Sequence, residues 1–372
     1  MIFALDYLNR MERTYPGILA MMQRSKDPEE VMVRKGVSPD AFVGMLALMH
    51  WRQDKVICNF EGSVAREIME QTDDPDRSFP ISCMRQLPYP CIAAHTTPIS
   101  IMDPASQKVL EEYTGNAFLW LEGDILHTTW QFQGDQYLYA NMPLKDGMTI
   151  DDCFDSIVVE NLKRHFSAAE IEGIKQVFGV NRLSELTNLS SDAYLELKKR
   201  FGSRVDEISH SIQLTNVQEV LMQRALHIIL YLACDNADIE AAEEKLKAGA
   251  WASSIGGEPR EVKRNERRQA LRETEGVTVQ DVGYRIAGKF KRSYSGESVK
   301  SEGTGTGATR GYGKRRAHFH HFWIGPRDGV IATDIMNPKP GEKGLRLRWV
   351  EATEIHPELR DENATVVDVE RQ

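Results

Sequence analysis

The sequence predicts an α+β fold: a helical amino-terminal region, a central mostly antiparallel sheet, a helical segment and a basic C-terminal β region. Three observations carry this expectation. Apolar residues recur at helical spacing through the first eighty residues, short aromatic and aliphatic runs punctuated by Gly, Pro, Asn and Asp begin at Phe79, and helical spacing returns across residues 150 to 250.

At the amino terminus, DYLNRMERTYPGILAMMQR and SPDAFVGMLALMHWRQ have the helical period, with Ser38 and Asp40 as candidate caps of the second. FPISCMRQLPYPCIAAHTT, NAFLWLEGD, ILHTTWQFQG and QYLYANMPL read as strands, with hairpin turns at LEGD and QGDQ. The loose alternation of ILHTTWQF leaves its register open. SAAEIEGIKQVFG carries Ile171, Ile174, Val177 and Phe178 on one face and ends in Gly179, as helices commonly do. TNVQEVLMQRALHIILYLACD follows, with Thr215 as candidate cap and a second half apolar nearly all round, which predicts a helix through the core. His227 lies within it and is read as a core histidine. DIEAAEEKLKAGAWASSIGG is expected to be a polar helix closing this part, and PREVKRNERRQALRE a solvated helix face. VTVQDVGYRIAGKF is a strand or strand-helix candidate. The Gly/Ser/Thr-rich stretch after it, 293–313, is expected to be a mobile loop. Its GTGTG is not a phosphate loop, because a Walker motif needs Gly-Lys-Ser/Thr opening a helix, and here the lysine precedes arginines and a strand.

Length and charge organise these elements. A chain of 372 residues is long for one core and points to two parts, taken as an acidic mixed body over 1–255 and a basic region over 256–372. The net charge of -9 hides a polarity. Residues 256–350 hold twenty Lys/Arg against eleven Asp/Glu, a net of +9, leaving -18 for the rest. Such asymmetry points to a polyanion or an acidic partner at the basic part, or to two parts that attract each other. No run of eighteen apolar residues and no basic leader with an apolar stretch occur, so a cytoplasmic protein without a membrane partner is expected. The five cysteines, Cys58, Cys83, Cys91, Cys153 and Cys234, are scattered among apolar neighbours and read as small core residues.

The densest functional stretch is RRAHFHHFWIGP, residues 315–326. As a strand ending at Gly325-Pro326, it places His318, His320 and Phe322 on one face and Phe319, His321 and Trp323 on the other. A His-x-His pair can share a metal, with His356, His127 or a carboxylate as third ligand, but no second ligand pair appears, and no metal or cofactor is assigned. Paired imidazoles beside Arg315 and Arg316 could also cleave RNA, one as base and one as acid. Arginine and aromatic side chains equally serve recognition of RNA or polypeptide, and a plain strand with bonded histidines is the simplest alternative. GLRLRWVEATEI alternates Leu345, Leu347 and Trp349 against Arg346, Arg348 and Val350. Pairing of the two strands as a hairpin would create a basic His/Arg face.

The combination of RRAHFHHFWIG and LRLRW resembles the C-terminal signature of a type V-A anti-CRISPR family carried by phages and plasmids. The matching positions are Arg315, Arg316, His318, His320, Phe322, Trp323, Gly325, Arg346, Arg348 and Trp349. QLPYPCIAA, with Leu87, Pro88 and Cys91, and HIILYLACDNADI are similar to two further landmarks of that family, in the same order. The resemblance implies a non-enzymatic protein of the bacterial cytoplasm. It would recognise the nascent N-terminal peptide of a type V-A (Cas12a-type) effector and promote translation-dependent loss of the effector mRNA, with ribosome or mRNA as a further partner. Its binding residues would be Arg315, Arg316, His318, His320, Trp323, Arg346, Arg348 and Trp349. The alternative is an RNA-binding protein or a ribonuclease using His318 and His320. This chain carries extra sequence between the tail strands, extra helical material around 160–210, and VEATEIHPEL where an apolar, proline-containing ending is expected. These departures leave room for recognition of a different nascent protein, or for another role.

Overall fold

The computed structural model describes residues 3–69, 79–102, 109–132, 134, 136–185, 191–242, 276–287, 313–315, 317–351 and 353–355. Four helices, α1 (Phe3–Thr14), α2 (Ile18–Arg24), α3 (Pro28–Lys35) and α4 (Pro39–Trp51), open the chain. The first helical run is broken between Thr14 and Ile18, where Pro16 brings no N–H and Gly17 takes a left-handed φ of 73°. Ser38 caps α4 by accepting from the Ala41 N–H, whereas Asp40 lies inside the first turn.

Strand β1 (Val56–Phe60) follows, a short element that helical spacing does not reveal. After α5 (Gly62–Met69) and a single turn α6 (Ile81–Met84) come β2 (Cys91–His95), β3 (Ile99–Met102), β4 (Val109–Tyr113), β5 (Asn116–Glu122), β6 (Ile125–Gln131) and β7 (Tyr137–Pro143). Only the last part of FPISCMRQLPYPCIAAHTT is therefore a strand. Its start turns helical behind Pro80, whose carbonyl accepts from the Cys83 N–H. The LEGD hairpin forms as expected, with Glu122 opposite Ile125 and Gly123 at a φ of 60°.

Helices α7 (Ile150–Lys163), α8 (Ala168–Phe178), α9 (Ser191–Phe201) and α10 (Val205–Leu232) follow. Capping boxes start α7, through Thr149 and Asp152, and α8, through Ser167 and Glu170, while Gly179 ends α8 at a φ of 67°. Thr215 is not a cap. It sits deep in α10, donates to the Ser211 carbonyl and accepts from Asn161, because the helix begins ten residues earlier, at Val205. Strands β8 (Ile239–Ala241), β9 (Thr278–Val282), β10 (Gly313–Arg315), β11 (His318–Ile324), β12 (Gly344–Val350) and β13 (Thr353–Ile355) complete the chain. The start of DIEAAEEKLKAGAWASSIGG is thus a strand, since Ile239–Ala241 finds a distant partner in β9 that outweighs its local helix preference. The rest of that stretch beyond 242, the 255/256 boundary, PREVKRNERRQALRE and the loop through 312 lie outside the described residues.

One seven-stranded sheet, in the order β7-β6-β5-β2-β1-β9-β8, organises these elements. It is antiparallel except at its centre, where β1 pairs in parallel with both β2 and β9. The basic C-terminal region therefore contributes β9 to the same sheet as the acidic amino-terminal part. Helices cover both faces. The α1–α4 layer packs on Ile57, Ala93, Phe118, Trp120 and Val279. On the other face α5, α6 and the second half of α10 pack on Val56, Cys58, Ile92, Leu119, Leu126 and Trp130, together with β11 and β12. Two-sided burial explains the loose alternation of ILHTTWQF, in which Leu126 through Gln131 are all buried. All five cysteines are buried and unbridged, and burial pushes the Cys58 and Cys83 thiols up to about 12. Among the described residues no helix is long and apolar enough to cross a membrane.

A third cluster, built from Val158, Leu162, Ile171, Ile174, Leu197, Val205, Ile208 and Ile212, joins α7–α9 to the first half of α10. Between that cluster and the sheet lies Glu219, whose carboxyl is pushed up to about 8 by burial and, secondarily, by Asp155. A carboxyl that holds its proton longer in the folded chain contributes stability that is complete below the unfolded value and is lost as pH rises toward 8. Glu219→Gln should therefore raise the urea midpoint at pH 9 relative to the parent chain and change it little at pH 4, read by circular dichroism.

Candidate functional site: a basic hairpin clasped by the end of the core helix

Strands β11 and β12 pair antiparallel along their whole length, from His318 opposite Val350 to Ile324 opposite Gly344. One face is apolar. Phe319, Leu345, Leu347 and Trp349 are buried in the main core, where Trp349 meets Phe319 at 4.8 Å and Tyr231 of α10 at 5.5 Å between ring centroids. His227 is fully buried beside Phe319, at 6.1 Å, a core histidine as its sequence context implies. His321 also points inward, edge-on to Phe79 at 4.9 Å, and burial, then His320, lowers its pKa.

The turn after α10 holds this hairpin. Asp235 donates its N–H to the Leu347 carbonyl. Asn236 donates from Nδ2 to the Trp349 carbonyl and accepts the Trp349 N–H on Oδ1, at 2.8 and 2.9 Å. The Asn236 amide thus serves β12 as a neighbouring strand would. Asp235 also accepts from Arg346, 3.2 Å away. The landmark HIILYLACDNADI and the landmark LRLRW are therefore in direct contact. Leu87, from the third landmark, packs against the same core, whereas Cys91 lies across the sheet with the α1–α4 layer.

The outward face carries His318, His320 and Phe322 from β11 and Arg346, Arg348 and Val350 from β12. His320 stands opposite Arg348 and Phe322 opposite Arg346, neighbours close enough to act as one surface. Arg348 has no ion-pair partner among the described residues, so its charge is left to solvent. Trp323, although on the inward register, is 45 % exposed at the end of the hairpin, with the Lys343 ammonium 5.1 Å from its ring. Val330 and Ile331 beside it are 79 % and 59 % exposed, and the Val330 carbonyl accepts from the Lys343 N–H. The hairpin therefore offers a basic face running into an apolar, aromatic tip.

Of the eight expected binding residues, the fold brings His318, His320, Arg346 and Arg348 onto one surface and sets Trp323 at its end. Trp349, at 2 % exposure, faces the core and holds the surface up from beneath. Arg315 has its backbone paired with Thr353 in the β10–β13 ladder, and Arg316 lies outside the described residues. Lys343, Val330, Ile331 and Asn236 were not singled out in the sequence. Only the Asp-Asn pair directly after an apolar helix signals a turn capable of holding a strand.

The geometry removes one route to a metal. His127, a possible third ligand for His318 and His320, lies on the opposite face of the sheet, stacked on Trp120 at 5.1 Å and hydrogen bonded to the Tyr139 hydroxyl. Burial lowers its pKa. His356 lies outside the described residues, and among the described residues no group of three metal-ligating side chains occurs.

Comparison with known proteins first gives the class: a type V-A anti-CRISPR protein. The AcrVA2-like family, described as the anti-CRISPR type V subtype A2 family, matches residues 59–357, and the chain belongs to it. No curated protein matches. Among solved structures, the crystal structure of AcrVA2 is similar to 95 % of this chain and 97 % of its own, at 14 % identity and a TM-score of 0.43.

The hairpin separates packing from surface cleanly. Trp349→Ala should cost about 3–5 kcal/mol of unfolding free energy, the range for emptying a buried aromatic site. Arg348→Ala should stay within about 0.5 kcal/mol, as exposed positions usually do. Paired urea titrations of the two variants would check both.

Proposed function

We propose that the chain lowers the amount of a type V-A effector nuclease by recognising the nascent N-terminal peptide of the effector and promoting translation-dependent loss of its mRNA. The outward face of β11–β12 is the surface that meets the translating complex. The observation that carries this reading is the pairing of His320 with Arg348 and of Phe322 with Arg346 on one solvent-facing strand pair, with Arg348 unpaired among the described residues. Guanidinium and aromatic groups on such a face contact phosphates and stack on bases, which suits a surface beside ribosomal or messenger RNA. Membership of a type V-A anti-CRISPR family supplies the target class.

The double substitution Arg346→Ala/Arg348→Ala tests the face. Because both side chains are exposed, the variant should fold as the parent does, yet binding to a short single-stranded RNA should weaken by about tenfold or more, on the scale of lost hydrogen bonds to charged groups. In cells carrying a type V-A system, the variant should leave effector mRNA and phage immunity near their levels without the protein. Unchanged effector levels with the parent chain would overturn the reading. Cleavage of naked RNA by the purified parent chain, abolished by His318→Ala or His320→Ala, would replace it with a ribonuclease.

A further inference from the structure

The two edges of the β11–β12 hairpin are unlike. The edge of β12, with the residue before it, is occupied along its length. The Lys343 N–H donates to the Val330 carbonyl and the Lys343 carbonyl accepts from Ala332, the Leu345 N–H donates to the Ile335 carbonyl, the Leu347 carbonyl accepts from Asp235, and Asn236 serves both groups of Trp349. These bonds fix the phase of the ladder. Since Leu345, Leu347 and Trp349 turn their N–H and C=O groups away from β11, their register partners Trp323, His321 and Phe319 turn theirs away from β12. None of those groups on β11 makes a hydrogen bond with a described residue. Phe319 is 5 % exposed, so its end of the edge is covered, and the edge opens at half-buried His321 and exposed Trp323. Two backbone donors and two acceptors are left there without partners.

Proteins commonly guard an open strand edge with a proline, a lysine or a bulge. β11, HFHHFWI, has neither residue, and its register with β12 is unbroken from His318 to Ile324. The side chains beside the edge divide by face. On the inward face stand Trp323 and His321, with Phe79 edge-on to the imidazole at 4.9 Å. On the outward face stand His320 and Phe322, with Arg348 one strand further and without an ion-pair partner among the described residues.

Donors and acceptors alternating along an extended strand are complemented by another extended backbone, which only a polypeptide supplies. Alternate side chains of an added strand would meet the two faces in turn, and these differ in what they favour. A second copy of this chain, pairing β11 with β11, would lay one basic face beside another. We propose that the free edge of β11 takes up an extended peptide as a further strand, paired with His321 and Trp323, with apolar side chains on the inward face and acidic ones on the outward face beside His320 and Arg348. The inference does not rest on the nascent-chain reading, for which a chain emerging from the ribosome would be one source of such a strand.

The test uses the full chain labelled with nitrogen-15 on histidine and tryptophan, and a synthetic probe, acetyl-Thr-Val-Glu-Val-Glu-Val-Thr amide. At saturating probe, hydrogen exchange at the His321 and Trp323 backbone amides should slow by about tenfold or more, since each gains an acceptor. The same probe with N-methyl groups on its valines, which removes the donors aimed at β11, should bind about tenfold or more weakly, on the scale of lost hydrogen bonds. A probe with lysine in place of glutamate should bind about threefold or more weakly, on the scale of exposed charge pairs. No slowing with the acidic probe, equal slowing with the N-methylated one, or equal binding of the lysine probe would overturn the proposal. So would slowing that grows with the concentration of the chain alone, which would assign the edge to a second copy. Failure of the nascent-chain reading would appear separately, as unchanged effector levels in cells.

Discussion

The basic face of the hairpin depends on the turn that ends α10. Asn236 satisfies both backbone groups of Trp349, and Asp235 takes the Leu347 carbonyl and the Arg346 guanidinium. A two-stranded hairpin alone is marginal in water. Here its inner side chains enter a core already organised by α10 and the sheet, and its outer strand edge is closed by the Asn236 amide. The arginines are thus presented on a backbone whose position is set by buried contacts, so their exposure costs the fold little.

α10 links this face to the rest of the molecule. Its first half belongs to the cluster of α7–α9, through Val205, Ile208 and Ile212, and its second half to the main core, from Leu221 to Leu232. At 28 residues it spans roughly 42 Å. The buried amides of Asn161 and Gln218 mark where the two packing environments meet. Asn161 donates to Gln218 Oε1, and Gln218 donates in turn to the Tyr139 carbonyl of β7, covering a sheet edge that would otherwise be open.

What the sequence made legible follows from the range over which each interaction acts. Caps at Ser38 and Gly179, the hairpin turn at Gly123 and the alternation of Leu345, Leu347 and Trp349 are local and were readable directly. The β11–β12 pairing was readable because both strands carry complementary patterns and little else could bury their apolar sides. β1 and β8 were not, since a run of three to five residues takes its conformation from partners far along the chain. Thr215 was misplaced for the opposite reason: a good capping residue was absorbed by a longer helix that gave its hydroxyl a carbonyl and an amide to bond. The signature arginines declared themselves by composition, whereas Lys343, Val330 and Ile331 gain meaning only from their position beside Trp323.

The central position of β9 has a temporal side. β1 occupies the middle of the sheet, yet one of its two edges waits for residues 278–282, after everything from Glu61 to Val277 has been made. Contacts of such sequence separation form late and slowly. During synthesis the amino-terminal layer, β1 and β2 can assemble with an unpaired parallel edge, and only the arrival of β9 closes it and sets Asp281 beside Asn59. The hairpin, from still later in the chain, docks on a core that is complete by then. A ribosome-bound copy of this protein therefore carries an open edge in its sheet until residues 278–282 have emerged, and the basic face can follow only with residues 318–350.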